Sequence, residues 1–398
     1  MKILNVTQTY YPYQEGGGMP VKVRAISRVL ARHGHRVTVL TANLGERQWP
    51  ANASVEKTST GRRTFEENVE ALYLPTIARY RALTFNPRVV RFCRASLARF
   101  DLVHCYGLYD VLGPSVAYFC RREGLPVVVE PMGMFRPIDR SFRAKRAWHL
   151  TVGRSFLRKA AKIVATSDLE QQELIAGGIA PRKILLRYNG IDRDILEALP
   201  PRGAFRAKWR IPLGDPMILF LGRVIPRKRA DLLIRAFADA SPGCGMLVIA
   251  GPEGEVGYRS LLEKCARDSG VADRVLFTGP LYDDDKKSAF LDADIFALPS
   301  QYENFANAPA EAIACGVPVL VSTSCGIAPL IEGRAGLVVS PEMAPLSSAL
   351  RTLLGNESLR IRLKAGCREV ASELNWDRLV GQMEDCYANL LMHGSTNQ

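Results

Sequence analysis

Nowhere in this sequence do eighteen apolar residues run together, which argues against a membrane-spanning helix. The opening residues, Met1-Lys2-Ile3-Leu4-Asn5-Val6, have the pattern of a first strand and lack the regions of a signal peptide, so secretion is also disfavoured. Histidine is scarce, with five residues, and the nine cysteines (Cys93, Cys105, Cys120, Cys244, Cys265, Cys315, Cys325, Cys367, Cys386) contain no C-x-x-C pair. That inventory gives no support to a structural zinc site or a histidine-rich metal centre, and cysteines scattered through apolar stretches fit a reducing cytosol. The dinucleotide fingerprint G-x-G-x-x-G is missing too. The second strand runs into Thr41-Ala42-Asn43 with no acidic residue for a ribose, which disfavours a nicotinamide dehydrogenase. Neither low-complexity tracts nor internal repeats occur.

What is there is a chain of 398 residues, 47% apolar and 23% charged, the balance of a soluble globular protein. That length predicts roughly two to three domains. The net charge of +13 is unevenly placed. Residues 1–200 hold 31 basic and 17 acidic side chains, a balance of +14, against 22 and 23 in the remainder, a balance of −1. Such segregation points to an anionic partner for the first half, although a solvated basic surface is the blander account.

Strand and helix patterns alternate throughout, which predicts an α/β protein with parallel sheets and crossover helices. In the first half, strands are expected at Ile3–Gln8, Arg36–Thr41, Leu102–Cys105, Val127–Glu130 and Ile163–Thr166, with helices at 20–33 and 111–122. A segment rich in proline and glycine, from Leu199-Pro200-Pro201 to Pro216, reads as a linker. A second series follows, with strands at Met217–Gly222, Met246–Ala250, Val275–Thr278, Ile295–Leu298 and Val317–Ser322. Two such lobes leave a cleft, the usual place for a ligand.

Three segments carry candidate chemistry. Gly16-Gly17-Gly18 lies between a strand and a helix, where backbone amides suit an anion. Gly222-Arg223 and Lys228 put two cations at the carboxyl end of a strand, which suits a diphosphate. In the third, Glu303-Asn304-Phe305-Ala306-Asn307 leads into a short helix carrying Glu311, with Asn307 as the expected N-cap. Loop amides there suit a phosphate, and each carboxylate suits a pair of sugar hydroxyls. Asp283-Asp284-Asp285, beside Lys286 and Lys287, reads as a polar turn rather than a metal motif.

Taken in order, these pieces resemble the retaining glycosyltransferases of family 4. They are Gly17-Gly18 sixteen residues before Gly34-His35, Gly222-Arg223 with Lys228, Val275-Leu276-Phe277-Thr278-Gly279, and the E-x7-E pair Glu303 and Glu311 followed by Ala314-Cys315-Gly316-Val317-Pro318-Val319. The resemblance implies a GT-B fold, two Rossmann-like doubly wound domains facing each other across a cleft. The acceptor-binding domain would span 1–198 plus 376–398, and the donor-binding domain 199–375.

It also implies roles. Arg223 and Lys228 would neutralise the diphosphate of a nucleotide-sugar donor, with Gly17 and Gly18 closing on it. Glu303 would hold the sugar and Glu311 the ribose diol, with Val275, Asn304, Phe305, Ala306 and Asn307 also on the donor side. No cofactor or metal is expected. The family's usual histidine after Val127–Glu130 is replaced by Met132, which with His104 is an acceptor-side candidate, although a satisfied strand-end histidine explains His104 equally well. The glycine usual after the lysine is here Arg229.

Basic segments bear on the acceptor. Between Arg136 and Lys162 there are nine Lys/Arg and one acid, and Arg79–Arg99 adds six arginines and no acid. Aromatic and aliphatic residues among them (Phe142, Trp148, Leu150, Phe156, Leu157) suit a protein lying peripherally on the anionic, cytoplasmic membrane face, although some of them must be core. A lipid-linked or phosphate-bearing glycan precursor, as in lipopolysaccharide or exopolysaccharide biosynthesis, is the expected acceptor. A sugar-nucleotide epimerase of the same fold is the alternative, with Glu130 as its acid/base group. Nucleic-acid binding ranks last, because Val89, Cys93, Leu97 and Phe100 fall on one helical face and look like core.

Overall fold

The computed structural model describes residues 1–13, 18–45, 54–80, 83–137, 142–191, 195–241 and 243–394. The chain divides into two compact units, Met1–Asn189 with Trp376–Gln398, and Gly190–Asn375.

The first unit is built on a nine-stranded sheet of order β11-β10-β9-β8-β1-β2-β5-β4-β3. Its strands are β1 (Lys2–Thr7), β2 (Arg36–Ala42), β3 (Glu56–Lys57), β4 (Arg62–Glu66), β5 (Val69–Leu74), β8 (Leu102–Tyr106), β9 (Val127–Glu130), β10 (Lys162–Ala165) and β11 (Ile184–Leu186). A separate hairpin pairs β6 (Ala78–Tyr80) with β7 (Leu83–Phe85). From β11 to β5 every pairing is parallel, and only β4 and β3 turn back antiparallel. The parallel strands are apolar on both faces, so each sheet face needs a helical cover.

Along β1, Ile3 faces one core and Leu4 the other. The Leu4 side is covered by α2 (Arg88–Ser96), α3 (Leu112–Arg122) and α5 (Arg154–Lys159), among others. The helices α4 (Phe142–Trp148) and α6 (Asp168–Ala176) complete the crossovers. The Ile3 side is covered by α1 (Gly18–Arg32) and by the final helix α15 (Trp376–Gly394), which buries Trp376, Leu379, Val380, Met383 and Tyr387 there. On α2, Val89, Phe92 and Cys93 are buried while Arg88, Arg91 and Arg94 are exposed, so those apolar residues are core.

The second unit has a six-stranded, all-parallel sheet of order β14-β13-β12-β15-β16-β17. Its strands are β12 (Met217–Leu221), β13 (Met246–Ala250), β14 (Val275–Gly279), β15 (Ile295–Leu298), β16 (Val319–Ser322) and β17 (Gly336–Val339). The helices are α7 (Ala204–Trp209), α8 (Ala230–Ala240), α9 (Tyr258–Asp268), α10 (Asp283–Asp292), α11 (Asn307–Ala314), α12 (Ala328–Ile331), α13 (Met343–Gly355) and α14 (Glu357–Glu373). The order reverses at β12, which lies between β13 and β15, and in such sheets ligands bind at the carboxyl ends beside that reversal.

Two expectations need correction. The first crossing between units falls at 189/190 rather than 198/199. The Ile191 amide already donates to the Leu374 carbonyl at 2.8 Å, and Lys287 Nζ donates to the Glu197 carbonyl at 2.6 Å, so the chain joins the second unit before the proline-rich stretch. The run Asp283-Asp284-Asp285 is the first turn of α10 and not a turn. Acidic side chains there complement the helix dipole.

Candidate functional site

At the carboxyl edge of the second sheet, three neighbouring strands run out into glycine: β12 into Gly222, β13 into Gly251, and β14 at Gly279. The Gly222 amide donates to the Ala250 carbonyl at 2.9 Å and the Gly251 amide to the Gly279 carbonyl at 2.8 Å. Gly251 has φ +143, and a Cβ on it would fall against the Gly222 carbonyl oxygen. The three glycines bring no side chain of their own to this edge, so a shelf of backbone is presented there for close approach by a ligand.

The side chains around the shelf are basic and acidic. Arg223 is exposed and has no polar side-chain partner among the described residues. Lys228 ends a short 3-10 turn, Pro226–Lys228, and lies over Gly222, where a Cβ would come 3.0 Å from its Nζ. Its Nζ is 2.8 Å from Glu303 Oε1. Arg229 follows with φ +55, in the left-handed region that favours glycine. Its Nε reaches Asp231 Oδ1 at 3.3 Å.

The loop carrying Glu303 is held from both sides. The Gln301 amide donates to the Arg227 carbonyl at 2.9 Å, and Arg227 Nη1 donates to the Tyr302 carbonyl at 2.9 Å. From the loop after β16, the Gly326 amide donates to the Glu303 carbonyl at 3.0 Å, while the Glu303 amide donates to the Ser324 carbonyl at 3.0 Å. The Ile327 amide donates to the Phe305 carbonyl at 2.9 Å. Phe305 is itself buried, so it offers backbone rather than ring to a ligand.

Ala306, not Asn307, caps α11, with φ +78, a conformation that costs a non-glycine residue energy. Asn307 is the first helical residue and exposed. Glu311 projects from α11 to Lys286 on α10, with Oε2 to Nζ 2.7 Å.

So the second unit brings Arg223, Lys228 and Glu303 to one edge, with the segment 304–307 leading on to Glu311. Val275 is not brought there. It begins β14, paired with Leu247, and the edge is at Gly279, about 13 Å further on at 3.3 Å per residue. Gly17 lies outside the described residues, and Gly18 is the first residue of α1 in the first unit.

In the first unit a buried charge cluster sits where β9 ends. Glu130 is fully buried and paired with Lys22 of α1 through one oxygen and with Arg187, beyond β11, through the other. Burial works against its ionisation, but Arg187 and Lys22 together outweigh that and hold its pKa below the ordinary value. Lys22 is pushed down to about 8, burial outweighing Glu130. Arg187 lies 5.2 Å over the Trp376 ring.

His104 belongs to this cluster and does not line an open acceptor site. It is fully buried, its Nδ1 hydrogen-bonded to the Tyr387 hydroxyl at 2.6 Å and its Nε2 3.8 Å from Glu130. Burial lowers its pKa to about 3, so the ring is neutral. Met132 is half-buried with φ +57, next to Gly133, whose amide donates to Glu170 Oε1 at 2.5 Å. Glu130 is fully buried and paired with two cations, which gives the epimerase alternative no support.

The comparisons with known proteins follow this division. Residues 16–195 match the model for Glycosyltransferase Family 4, and residues 201–370 match that for Glycosyl transferases group 1. The chain is 28% identical over 402 residues to a D-inositol 3-phosphate glycosyltransferase of Xylanimonas cellulosilytica, covering 94% of this chain and 92% of that one. Among solved structures, a sucrose-phosphate synthase from Thermosynechococcus elongatus superposes with TM-score 0.75 at 22% identity, over 99% of this chain and 100% of the other. HepE from Anabaena, in complex with UDP, superposes with TM-score 0.75 at 19% identity, over 98% and 100%. With both units matched and the fold shared, the chain belongs to the family 4 retaining glycosyltransferases of GT-B fold and is a glycosyltransferase using a nucleotide sugar.

Proposed function

We propose that the second unit binds the donor and that the first takes a phosphate-bearing or lipid-linked glycan acceptor at an anionic membrane surface. The observation that carries the donor half is the contact of Lys228 with Glu303 over the glycine shelf, with Arg223 exposed beside it. In this reading Arg223 and Lys228 meet the departing diphosphate, where charge builds up in the transition state. Glu303 turns from Lys228 to the sugar hydroxyls and Glu311 takes the ribose diol. Segment 304–307 brings its amides to the phosphates at the start of α11. The acceptor attacks on the face the nucleotide leaves, since both carboxylates are read as binding groups and neither as a nucleophile. No metal is required, because two fixed cations do the neutralising. The UDP named for HepE makes UDP-sugars the first donors to assay. Alanine at Arg223 or Lys228 is expected to cut turnover by orders of magnitude with the fold kept. Near-normal turnover in both, or loss of activity in chelator, refutes the scheme.

The acceptor half is supported by charge and exposure. The name of the Xylanimonas relative carries a phosphate-bearing acceptor. On α4 and α5 the cations Arg143, Arg146, Arg154, Arg158 and Lys159 are exposed, but Phe156 and Leu157 are buried, and the Trp148 Nε1 donates inward to the Leu108 carbonyl at 2.9 Å. Leu150, between those helices, is 53% exposed, and further exposed apolar side chains come from the β6–β7 hairpin, where Tyr80 is 70% and Phe85 52% exposed. No described helix is long and apolar enough to cross a membrane. Attachment would therefore be peripheral, with each cation contributing about 1 kcal/mol. Co-sedimentation with anionic against neutral vesicles tests it. No preference for anionic vesicles at low salt leaves a soluble acceptor.

A further inference from the structure

Lys286 belongs to none of the motifs, yet it holds one of the two carboxylates assigned to the donor. It stands in the first turn of α10, its amide donating to the Tyr282 carbonyl at 3.2 Å. From there the side chain crosses to α11, placing Nζ 2.7 Å from Glu311 Oε2 and 6.0 Å from the Phe290 ring. The two side chains are 29% and 24% exposed, so the pair is open to a ligand. Lys287, the neighbouring lysine, is committed elsewhere through its bond to the Glu197 carbonyl.

We propose that Lys286 is a positioning residue that fixes the Glu311 carboxylate for the ribose diol, and so sets the preference for ribonucleotides over deoxyribonucleotides. This rests on the reading of Glu311 as the ribose partner. A glutamate on a helix surface samples several rotamers, and a ligand that needs one of them must stop that motion on binding. Lys286 stops it beforehand. A carboxylate has about four lone-pair sites. Lys286 occupies one on Oε2, leaving enough for two hydroxyls, so the lysine stays when the diol arrives. A partly exposed ion pair adds little to folding, which places the effect on binding.

The test is calorimetric binding of UDP, GDP and ADP, each beside its 2′-deoxy counterpart, to wild type, Lys286→Met and Lys286→Arg. For the base that binds, wild type is expected to prefer the ribonucleotide. Lys286→Met is expected to weaken that form about tenfold and the deoxy form far less, so the preference collapses, while Lys286→Arg retains it. Donor KM should rise in parallel with kcat within about twofold. Equal weakening of both forms, or an unchanged preference in Lys286→Met, overturns the proposal for Lys286. A wild type indifferent to the 2′-hydroxyl overturns the assignment of Glu311 itself, and no binding of any of the three overturns the donor reading.

Discussion

Replacing Glu130 with glutamine keeps the shape of the side chain and removes the one charge that two buried cations share. Lys22 is 4% exposed and Arg187 0%, so neither reaches water when the carboxylate is gone. Breaking a buried pair by removing one partner costs about 3–5 kcal/mol, because the desolvation penalty stays while the attraction goes. In a unit of 150–250 residues, each kcal/mol moves Tm by about 2–4 °C, so the first unit's transition should fall by roughly 10 °C. Calorimetry of the whole chain reads this, with the second unit's transition as the internal control. The pH dependence adds a signature. Lys22 has its folded pKa near 8, below its unfolded value, so its contribution to stability rises with pH between about 8 and 10.5. Without Glu130 that pKa falls further, the window opens at lower pH, and the variant should recover more stability than wild type between pH 7 and 9. Adding Lys22→Met to Glu130→Gln should restore part of the loss. A shift below about 3 °C at pH 7, or no recovery in the double variant, refutes the view that Glu130 compensates both cations.

His104, with its folded pKa lowered to about 3, contributes stability that is lost as pH falls from about 6.5 toward 3, because the unfolded ring takes a proton that the folded one refuses. His104→Gln should flatten that acid limb in urea titrations, and an unchanged slope would show that other groups cause it. Gly251→Ala should unfold or severely weaken the second unit, since the new methyl meets the Gly222 carbonyl at φ +143; a thermal shift within 2 °C or so of wild type would contradict the packed shelf. Glu311→Gln is expected mainly to weaken nucleotide binding and Glu303→Gln mainly to lower turnover, and equal loss of nucleoside diphosphate affinity in both would show that they do not divide the work.

The second sheet was legible because its strands are short, wholly apolar runs between helices, so Met246–Ala250 and Ile295–Leu298 were expected at their observed bounds. Glu303 and Lys228 were legible because their spacing belongs to loops at strand ends. Lys286 was not, since an aspartate run beside lysines looks like a turn until a helix is seen to start on it. Val275 was carried in with its motif, although only the glycine at the far end of that strand reaches the edge. For His104 the sequence left two readings open, a ligand-facing ring and a satisfied strand-end histidine. The second is what the structure shows, and only the return of α15, some 280 residues later, puts Tyr387 against it. The pairing of β4 and β3 was missed because their residues are half-exposed and carry charge, with little apolar alternation to read.

The return of α15 also dictates an order of assembly. Residues 190–375 form an unbroken stretch that holds its own sheet and core, and it can fold as soon as it leaves the ribosome. The first unit, though begun earlier, must wait. Until residues from Trp376 onward have been made, the core that includes Ile3, Val37, Val128 and Val164 lacks Leu379, Val380 and Met383, and His104 lacks its hydroxyl partner. The earlier-made half is therefore the later-finished one. A nascent chain of this protein carries a sheet face covered only by α1 throughout synthesis of its second unit, and it is during that interval that chaperone binding or aggregation has its opening.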